Sequence, residues 1–386
     1  MAQFSLAMVM YALMTTMAEY VTGLGATAAV AGAVSGAYIV GGLCSRLYSS
    51  KAMVNYGWKR IVMIFAVLHF LACCGYFFAG SIPVLLLIRF VHGLGFGASA
   101  NAIMVIGMSG LPKKRYGEAV GYFMMSTSLG VAVGPFAGGL IYDRFGGNGC
   151  FAAALFFSLL TVLFMSAVNT KDTDPYYRKK ELQEIDALPK APQYTGIDRL
   201  IETKALPISC CIALLCFGYA ALMSFYRLYA ETVSLNKEFS CFFLIYAATL
   251  LISRPMAGRF QDRYGDNAVC YPCMFFQFIG IALLAWKPCM LTIVLCAVGG
   301  ALGYGTMNST LNAIANRTIT AERRPYAVTT YWAFSDLGVG VSPAILGGIV
   351  TAGGYSVMYF SAALVSFLAL PVYYIAWGRK QKMKKL

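Results

Sequence analysis

The sequence predicts an all-α integral membrane protein with twelve spanning helices arranged as two halves of six. Three observations carry this. Of 386 residues, 59% are apolar and only 12% charged, about half the charged share of a water-soluble domain. Apolar runs recur along the whole chain, each long enough to cross a hydrocarbon core of ~30 Å at about 1.5 Å per residue. The second half also repeats residues of the first at a constant offset of 208.

The runs are 3–22, 28–50, 60–80, 82–108, 117–141, 149–168, 206–229, 239–258, 268–286, 289–315, 326–349 and 355–377. A spanning segment must satisfy its backbone polar groups internally, so it is a helix or part of a closed barrel. These runs are continuous and do not alternate, which selects helices. The first run begins almost at Met1, and no cleavable signal peptide is expected.

The net charge of +14 is placed as in a multi-pass membrane protein. With the N-terminus inside, the cytoplasmic connections hold Lys51, Lys59 and Arg60; Lys113, Lys114 and Arg115; Arg259 and Arg263; and Arg317, Arg323 and Arg324. The opposite side keeps Arg144, Lys237 and Lys287. This asymmetry follows the positive-inside rule. It predicts a plasma or inner membrane location with both termini cytoplasmic. The basic tail 379–386 would be drawn to anionic lipid, and nucleic acid is not an expected partner.

The long polar stretch 169–205 divides the runs six and six. It is read as a cytoplasmic linker, partly helical at 178–188, between an N-terminal bundle 1–168 and a C-terminal bundle 206–378. Across it, Ser45-Arg46 maps to Ser253-Arg254, Gly57 to Gly265, and Gly95 and Gly97 to Gly303 and Gly305. Arg115 maps to Arg323, Leu129-Gly130-Val131 to Leu337-Gly338-Val339, Pro135 to Pro343, and Tyr11-Ala12 to Tyr219-Ala220. Repeated halves are the common construction of secondary transporters, with the substrate site near the midplane and alternating access by rocking of one half against the other.

Three motifs sharpen the reading. The first is intact at Arg254-Pro255-Met256-Ala257-Gly258-Arg259-Phe260-Gln261-Asp262-Arg263-Tyr264-Gly265. Its first-half copy is degraded: Arg46, Gly57, Lys59 and Arg60 remain, but Val54 stands opposite Asp262. The second is Arg89-Phe90-Val91-His92-Gly93-Leu94-Gly95-Phe96-Gly97, whose small residues at four-residue spacing suit close helix packing. The third is Gly121, Gly130, Gly134-Pro135 and Gly138-Gly139 in the fifth run, where proline removes a backbone donor and bends the helix. Its glycine face is expected to pack against the other half.

Together these motifs resemble the major facilitator superfamily over essentially the whole chain, and within it the twelve-helix drug–proton antiporter branch. The resemblance implies the major facilitator fold. It implies that Arg46, Gly57, Arg254, Gly258, Asp262, Arg263 and Gly265 form a cytoplasmic latch, which closes that side in the outward-facing state. It assigns export to the third motif and a proton-coupling arginine to Arg89. The degraded first copy implies a bias toward inward-facing conformers.

Few ionisable residues lie within the runs, and an intramembrane charge is a functional candidate by default. Asp336 falls near mid-depth and is a candidate for proton coupling or for binding a cationic solute. Glu19 and its offset partner Arg227 end the first and seventh runs; they form a candidate outer gate, with Glu19 also a coupling candidate. Glu118 reads as a carboxylate favoured in a first helical turn. The twelve cysteines are scattered, and His69 and His92 are read as isolated core residues, so neither a metal site nor a cofactor is expected.

In the family layout the cavity candidates are Tyr11, Thr15, Tyr38, Asn101, Ser126, Tyr219, Tyr246, Asn308, Asn312, Tyr331 and Trp332. Aromatic residues suit cation–π contacts with amphiphilic or cationic solutes. The expected activity is therefore proton-coupled efflux of small amphiphilic solutes, with protons as coupling ion and a monomer as the working unit. The alternative is transport of one metabolite, such as a sugar, siderophore or carboxylate. An enzyme or channel is disfavoured: no nucleophile–base pair, metal cluster or GxxxxGK[ST] phosphate loop is present.

Overall fold

The computed structural model describes residues 1–26, 28–111, 113–177, 198, 200–317 and 319–379. The stretch expected to be helical at 178–188 and the tail beyond Arg379 lie outside the described residues. Among the described residues, twelve long helical stretches follow one another. α1 is Ala2–Gly23, α2 Ala28–Tyr56, α3 Trp58–Gly75 and α4 Ile82–Ser109. The stretch Tyr116–Ala167 breaks at Gly146 into α5 (116–145) and α6 (147–167). Then come α7 Leu206–Thr232, α8 Asn236–Tyr264, α9 Asp266–Trp286 and α10 Met290–Arg317. The stretch Arg324–Phe367 breaks at Gly354 into α11 (324–353) and α12, which continues to Gly378.

The breaks are written in the repeat. Gly57 and Gly265 have φ of 88° and 89°, and Gly146 and Gly354 have 64° and 78°. These are left-handed conformations that glycine reaches without a Cβ penalty. Both pairs stand 208 residues apart, so the same turn chemistry separates α2 from α3 and α8 from α9, and again α5 from α6 and α11 from α12. Elsewhere the starts are conventional. α4 opens with Pro83 in its first turn, and at the start of α10 Thr292 Oγ1 accepts from the Cys289 N–H at 2.9 Å.

By spatial grouping the chain forms two compact units. One comprises 1–110, 126–202 and 320–329; the other comprises 111–125, 203–319 and 330–386. The first N-terminal turns of α5 and of α11 therefore each group with the unit that does not hold the rest of the helix. The first unit's core includes Leu13, Met17, Val34, Leu85 and Phe151. The second unit's core includes Leu222, Tyr226, Phe242, Ile281 and Tyr359. Large apolar side chains also point outward, among them Leu87, Phe136, Leu244 and Ile375, the last 74% exposed. In water such faces would be costly; in lipid they are the expected surface of a multi-pass membrane protein. Nine helical stretches among the described residues are long and apolar enough to cross a bilayer, two of them containing a glycine break.

Candidate functional site

The intact motif of α8 is built on a helix start. The first amide N–H groups of a helix have no partner within it and attract a carboxylate. Here Asp262 supplies both oxygens: Oδ1 accepts from Gly117 N–H at 3.0 Å and Oδ2 from Glu118 N–H at 2.9 Å. The approach needs two glycines, since a methyl group added at Gly258 would stand 2.4 Å from the Gly117 carbonyl oxygen. Glu118 is held from both sides, by Arg259 Nε at 2.6 Å and by Arg115 Nε at 2.6 Å. Arg254, buried, donates to the carbonyls of Gly305 and Met124. Gly121 faces the Arg254 carbonyl with no room for a Cβ. Arg263 lies over the Tyr264 ring at 5.2 Å.

The degraded copy in α2 has lost more than an aspartate. The residue that corresponds to Gly117 is Pro325, which has no N–H to offer. Ser50 instead donates to the Pro325 carbonyl at 3.2 Å and shares a hydrogen bond with Thr329. Thr329 donates to the Arg46 carbonyl at 3.1 Å. Asn101 completes the network, donating to Thr329 at 2.6 Å and to Ser49 at 3.0 Å. Acceptor and donor thus disappear together, and neutral hydroxyls take over the contact. Asn101 is fully buried in this packing network.

The starts of α3 and α9 carry a second motif that sequence reading missed. Asp266 opens α9, fully buried, and accepts from Trp377 Nε1 at 2.7 Å, Gln261 at 2.8 Å and Arg317 at 3.0 Å. In the first half the corresponding residue is Trp58, whose backbone N–H donates to Asp174 Oδ2 at 2.6 Å. Asp174 follows α6 and also accepts from Tyr176 N–H. Burial raises its carboxyl pKa from the ordinary aspartate value, against the lowering effect of the two N–H groups. Each half so ties its third helix to the end of its sixth, with the aspartate on opposite partners. An aspartate or tryptophan just past a glycine turn was the available signal.

The glycines of α5 correct one expectation. A Cβ at Gly130, Gly134 or Gly138 would meet Ala7, Tyr11 or Ala12, at 2.4, 2.7 and 2.8 Å. This face therefore packs on α1, within its own half, where the glycines bring the two backbones together at Ala7, Tyr11 and Ala12. Gly121 alone of the motif meets α8, and Gly139 meets nothing within 4 Å. Pro135 lies inside the helix. The looser copy behaves alike: Gly338 abuts Ala213 and Cys216 of α7.

In the second unit, α7, α10 and α11 bring an aromatic and amide string together. α10 is not uniform: Ala301–Thr306 form a π-helical turn, a local widening that re-aims side chains and recurs at functional sites. That turn presents Tyr304, which stacks on Tyr219 with ring centroids 4.0 Å apart. Asn308 donates to the Tyr304 hydroxyl at 3.3 Å and its carbonyl accepts from the Tyr331 hydroxyl at 2.8 Å. Trp332 lies edge-on to Tyr331 at 5.9 Å. Tyr246 is buried under Gly300 and Gly305, against Phe242. Asn312 is buried one turn from Asn308, accepting from Asn316. Tyr304 was not among the sequence candidates; the glycines at 299, 300, 303 and 305 were the signal.

Asp336 is half-buried on α11, beside Ser335, whose carbonyl accepts from the Cys216 thiol of α7 and whose hydroxyl shares a contact with it. Ser126 and Tyr11 are half-buried. Glu19 is exposed at the end of α1. The side chain of Arg227 lies outside the described residues, so the proposed gate pair has no geometry here.

Arg89 is buried in α4. Its guanidinium donates to Tyr76 Oη at 3.3 Å and to the Val34 carbonyl at 3.4 Å, and lies over the Tyr38 ring at 4.5 Å. Tyr38 is itself buried, edge-on to His92. The histidines are not isolated, contrary to the sequence reading. His69 and His92 stack with centroids 4.3 Å apart, because Gly95 lets α4 approach the backbone of α3 at His69.

Twelve helical stretches with apolar outer faces among the described residues, and a repeated set of turn glycines and helix-start carboxylates, are the build of a polytopic membrane transporter. The family model of the Major Facilitator Superfamily matches residues 1–317 and again 208–385; the chain belongs to that family. A multidrug resistance protein MdtG of Proteus mirabilis is 27% identical over 75% of this chain and 71% of its own length. A multi-drug resistance efflux pump PmrA homolog of Lactococcus lactis is 24% identical over 93% and 87%. The solved proton:xylose symporter XylE superposes with a TM-score of 0.73 at 14% identity, covering 97% of this chain and 94% of that one; this likeness concerns the fold alone.

Proposed function

We propose that this transporter exports small amphiphilic or cationic solutes in exchange for protons, by alternating access, from a membrane in which both termini face the cytoplasm. The observation that carries the reading is the Tyr219–Tyr304–Asn308–Tyr331 string at the π-helical turn. Stacked aromatic faces and a few amide oxygens bind flat or cationic solutes without a fixed hydrogen-bond pattern. The complete glycine pattern of α5 and the efflux pumps among the relatives support the direction of transport. The lysine and arginine placement supports the orientation.

The roles follow from position. Asp336, on α11 beside α7, takes up a proton from one side and releases it to the other. Arg89 positions the first half's part of that relay, and the Asp262 contact latches the cytoplasmic side. Glu19 and Arg227 gate the outer side. The 1–168 and 206–378 bundles are the moving parts, and one chain suffices.

The test is flux of cationic dyes in reconstituted vesicles under an imposed pH gradient, comparing wild type with Asp336→Asn. Gradient-driven flux that collapses in the variant supports both proton exchange and Asp336. Flux that ignores the gradient and is unchanged by the substitution removes both.

A further inference from the structure

Between α3 and α4 of the first unit, five polar side chains converge out of reach of water. His69, Cys73, Arg89, His92 and Tyr76 are each no more than 2% exposed. The architecture does not demand them. At the corresponding places in the second half stand Gln277, Ile281, Ala297, Gly300 and Leu284. There the Gln277 amide nitrogen donates to the Leu215 carbonyl and to Ser366, and the other four positions are apolar or glycine. The helix approach is the same in both halves, Gly95 on His69 and Gly303 on Gln277. One backbone arrangement therefore accepts a filling with a single polar side chain in one half and carries a cluster of five in the other. A cluster that packing does not require calls for a ligand-based reason.

The geometry points to a binding site for a soft, singly charged metal ion, Cu(I) in chemical character, held by His69, Cys73 and His92. One ligand atom from each of the three lies within 4.8 Å of the others, and Cys73 Sγ is 3.4 Å from His92 Nε2. Side-chain rotation draws such atoms onto a common centre. Neither ring nitrogen of the buried His69 has a hydrogen-bond partner, and a buried polar group left unsatisfied calls for an explanation, of which a bound ion is one. The second shell is in place: the Tyr76 hydroxyl lies 2.7 Å from His92 Nδ1. That contact engages Nδ1 and leaves Nε2 facing the thiol, the usual way a metal-binding histidine is oriented.

Charge selects the ion. Binding displaces the Cys73 thiol proton to solvent and leaves one thiolate and two neutral imidazoles. With a monovalent ion the site is neutral. With Zn(II) it carries a net positive charge, in a dry environment, one hydrogen-bonded tyrosine away from the Arg89 guanidinium. Like charges are heavily disfavoured in low dielectric. Thiolate and imidazole ligands also suit Cu(I) by softness.

The experiment uses the purified full-length protein with the exposed Cys44 and Cys241 replaced by serine. Cu(I) is supplied from a competing bathocuproine chelate, and Zn(II) is offered in parallel. One tight Cu(I) equivalent is expected, with one sulfur and two nitrogen ligands by X-ray absorption. Cys73→Ser and His92→Gln should each weaken it by at least about 10–100-fold, the scale of a lost ligand or of its support, while elution stays monodisperse. His69→Gln serves where either variant fails to fold. No tight equivalent in the folded parent, an equivalent unchanged by these substitutions, or a site that prefers Zn(II) would each overturn the assignment. Because the readout is metal content, it succeeds or fails apart from any transport assay.

Discussion

Asp262 Oδ1 lies 3.0 Å from the amide nitrogen of Gly117, and its other oxygen takes the next N–H, so one carboxylate caps the start of α5 from another helix. Asp262→Ala removes both acceptors. Losing a helix cap costs about 0.5–2 kcal/mol, and a charged acceptor stands toward the upper end. A lower melting temperature in detergent and slower transport are expected. Asp262→Asn, which keeps one acceptor, should fall between wild type and alanine in both measurements.

The degraded copy makes an asymmetric prediction. Val54→Asp should not rebuild the missing contact, because Pro325 offers no N–H. Val54→Asp together with Pro325→Gly restores both the acceptor and its donors. Inter-half disulfide trapping should find inward-facing conformers dominant in the wild type and fewer of them in the double variant. Dominant outward-open trapping in the wild type would contradict a weakened first latch.

Glycine substitutions in α5 should separate by what each would touch. A Cβ at Gly130 meets Ala7 at 2.4 Å and one at Gly121 meets the Arg254 carbonyl at 2.6 Å, whereas Gly139 has nothing within 4 Å. Overpacking costs about 1–3 kcal/mol. Gly121→Ala and Gly130→Ala should lower thermal stability, and Gly139→Ala should leave it unchanged or slightly raised. Fluorescence-detected size-exclusion after heating reads all three.

Tyr331→Phe tests the aromatic string. It leaves the ring in place and removes the 2.8 Å donor to the Asn308 backbone carbonyl, at about 0.5–1.5 kcal/mol for one lost hydrogen bond. Tyr219→Ala instead removes the stacking partner of Tyr304 without touching that bond. The first should lower stability more than dye affinity, and the second dye affinity more than stability.

Asp174 gives a pH dependence outside the membrane. Its folded pKa is raised, chiefly by burial, so the folded state holds the proton more tightly than the unfolded chain does. The group's contribution is then fully present below the unfolded pKa and lost as pH rises through the folded one. Asp174→Asn should raise the melting temperature at neutral pH relative to wild type, with the gap closing as pH falls through the carboxylate range.

The number of helices, their approximate ends and the twofold repetition are legible in the residues alone, because spanning length and backbone satisfaction in lipid leave few choices. The repetition also marks Gly57 and Gly265 as matched positions, where left-handed backbone excludes other residues. What the interior polar residues meet is set by packing. Asn101 meets Thr329 across 228 positions of chain, the α5 glycines meet α1, and His69 meets His92. These outcomes depend on which helix face turns toward which neighbour. In a uniformly apolar helix no hydrophobic stripe records that facing, so it emerges only when backbones are brought together at their glycines.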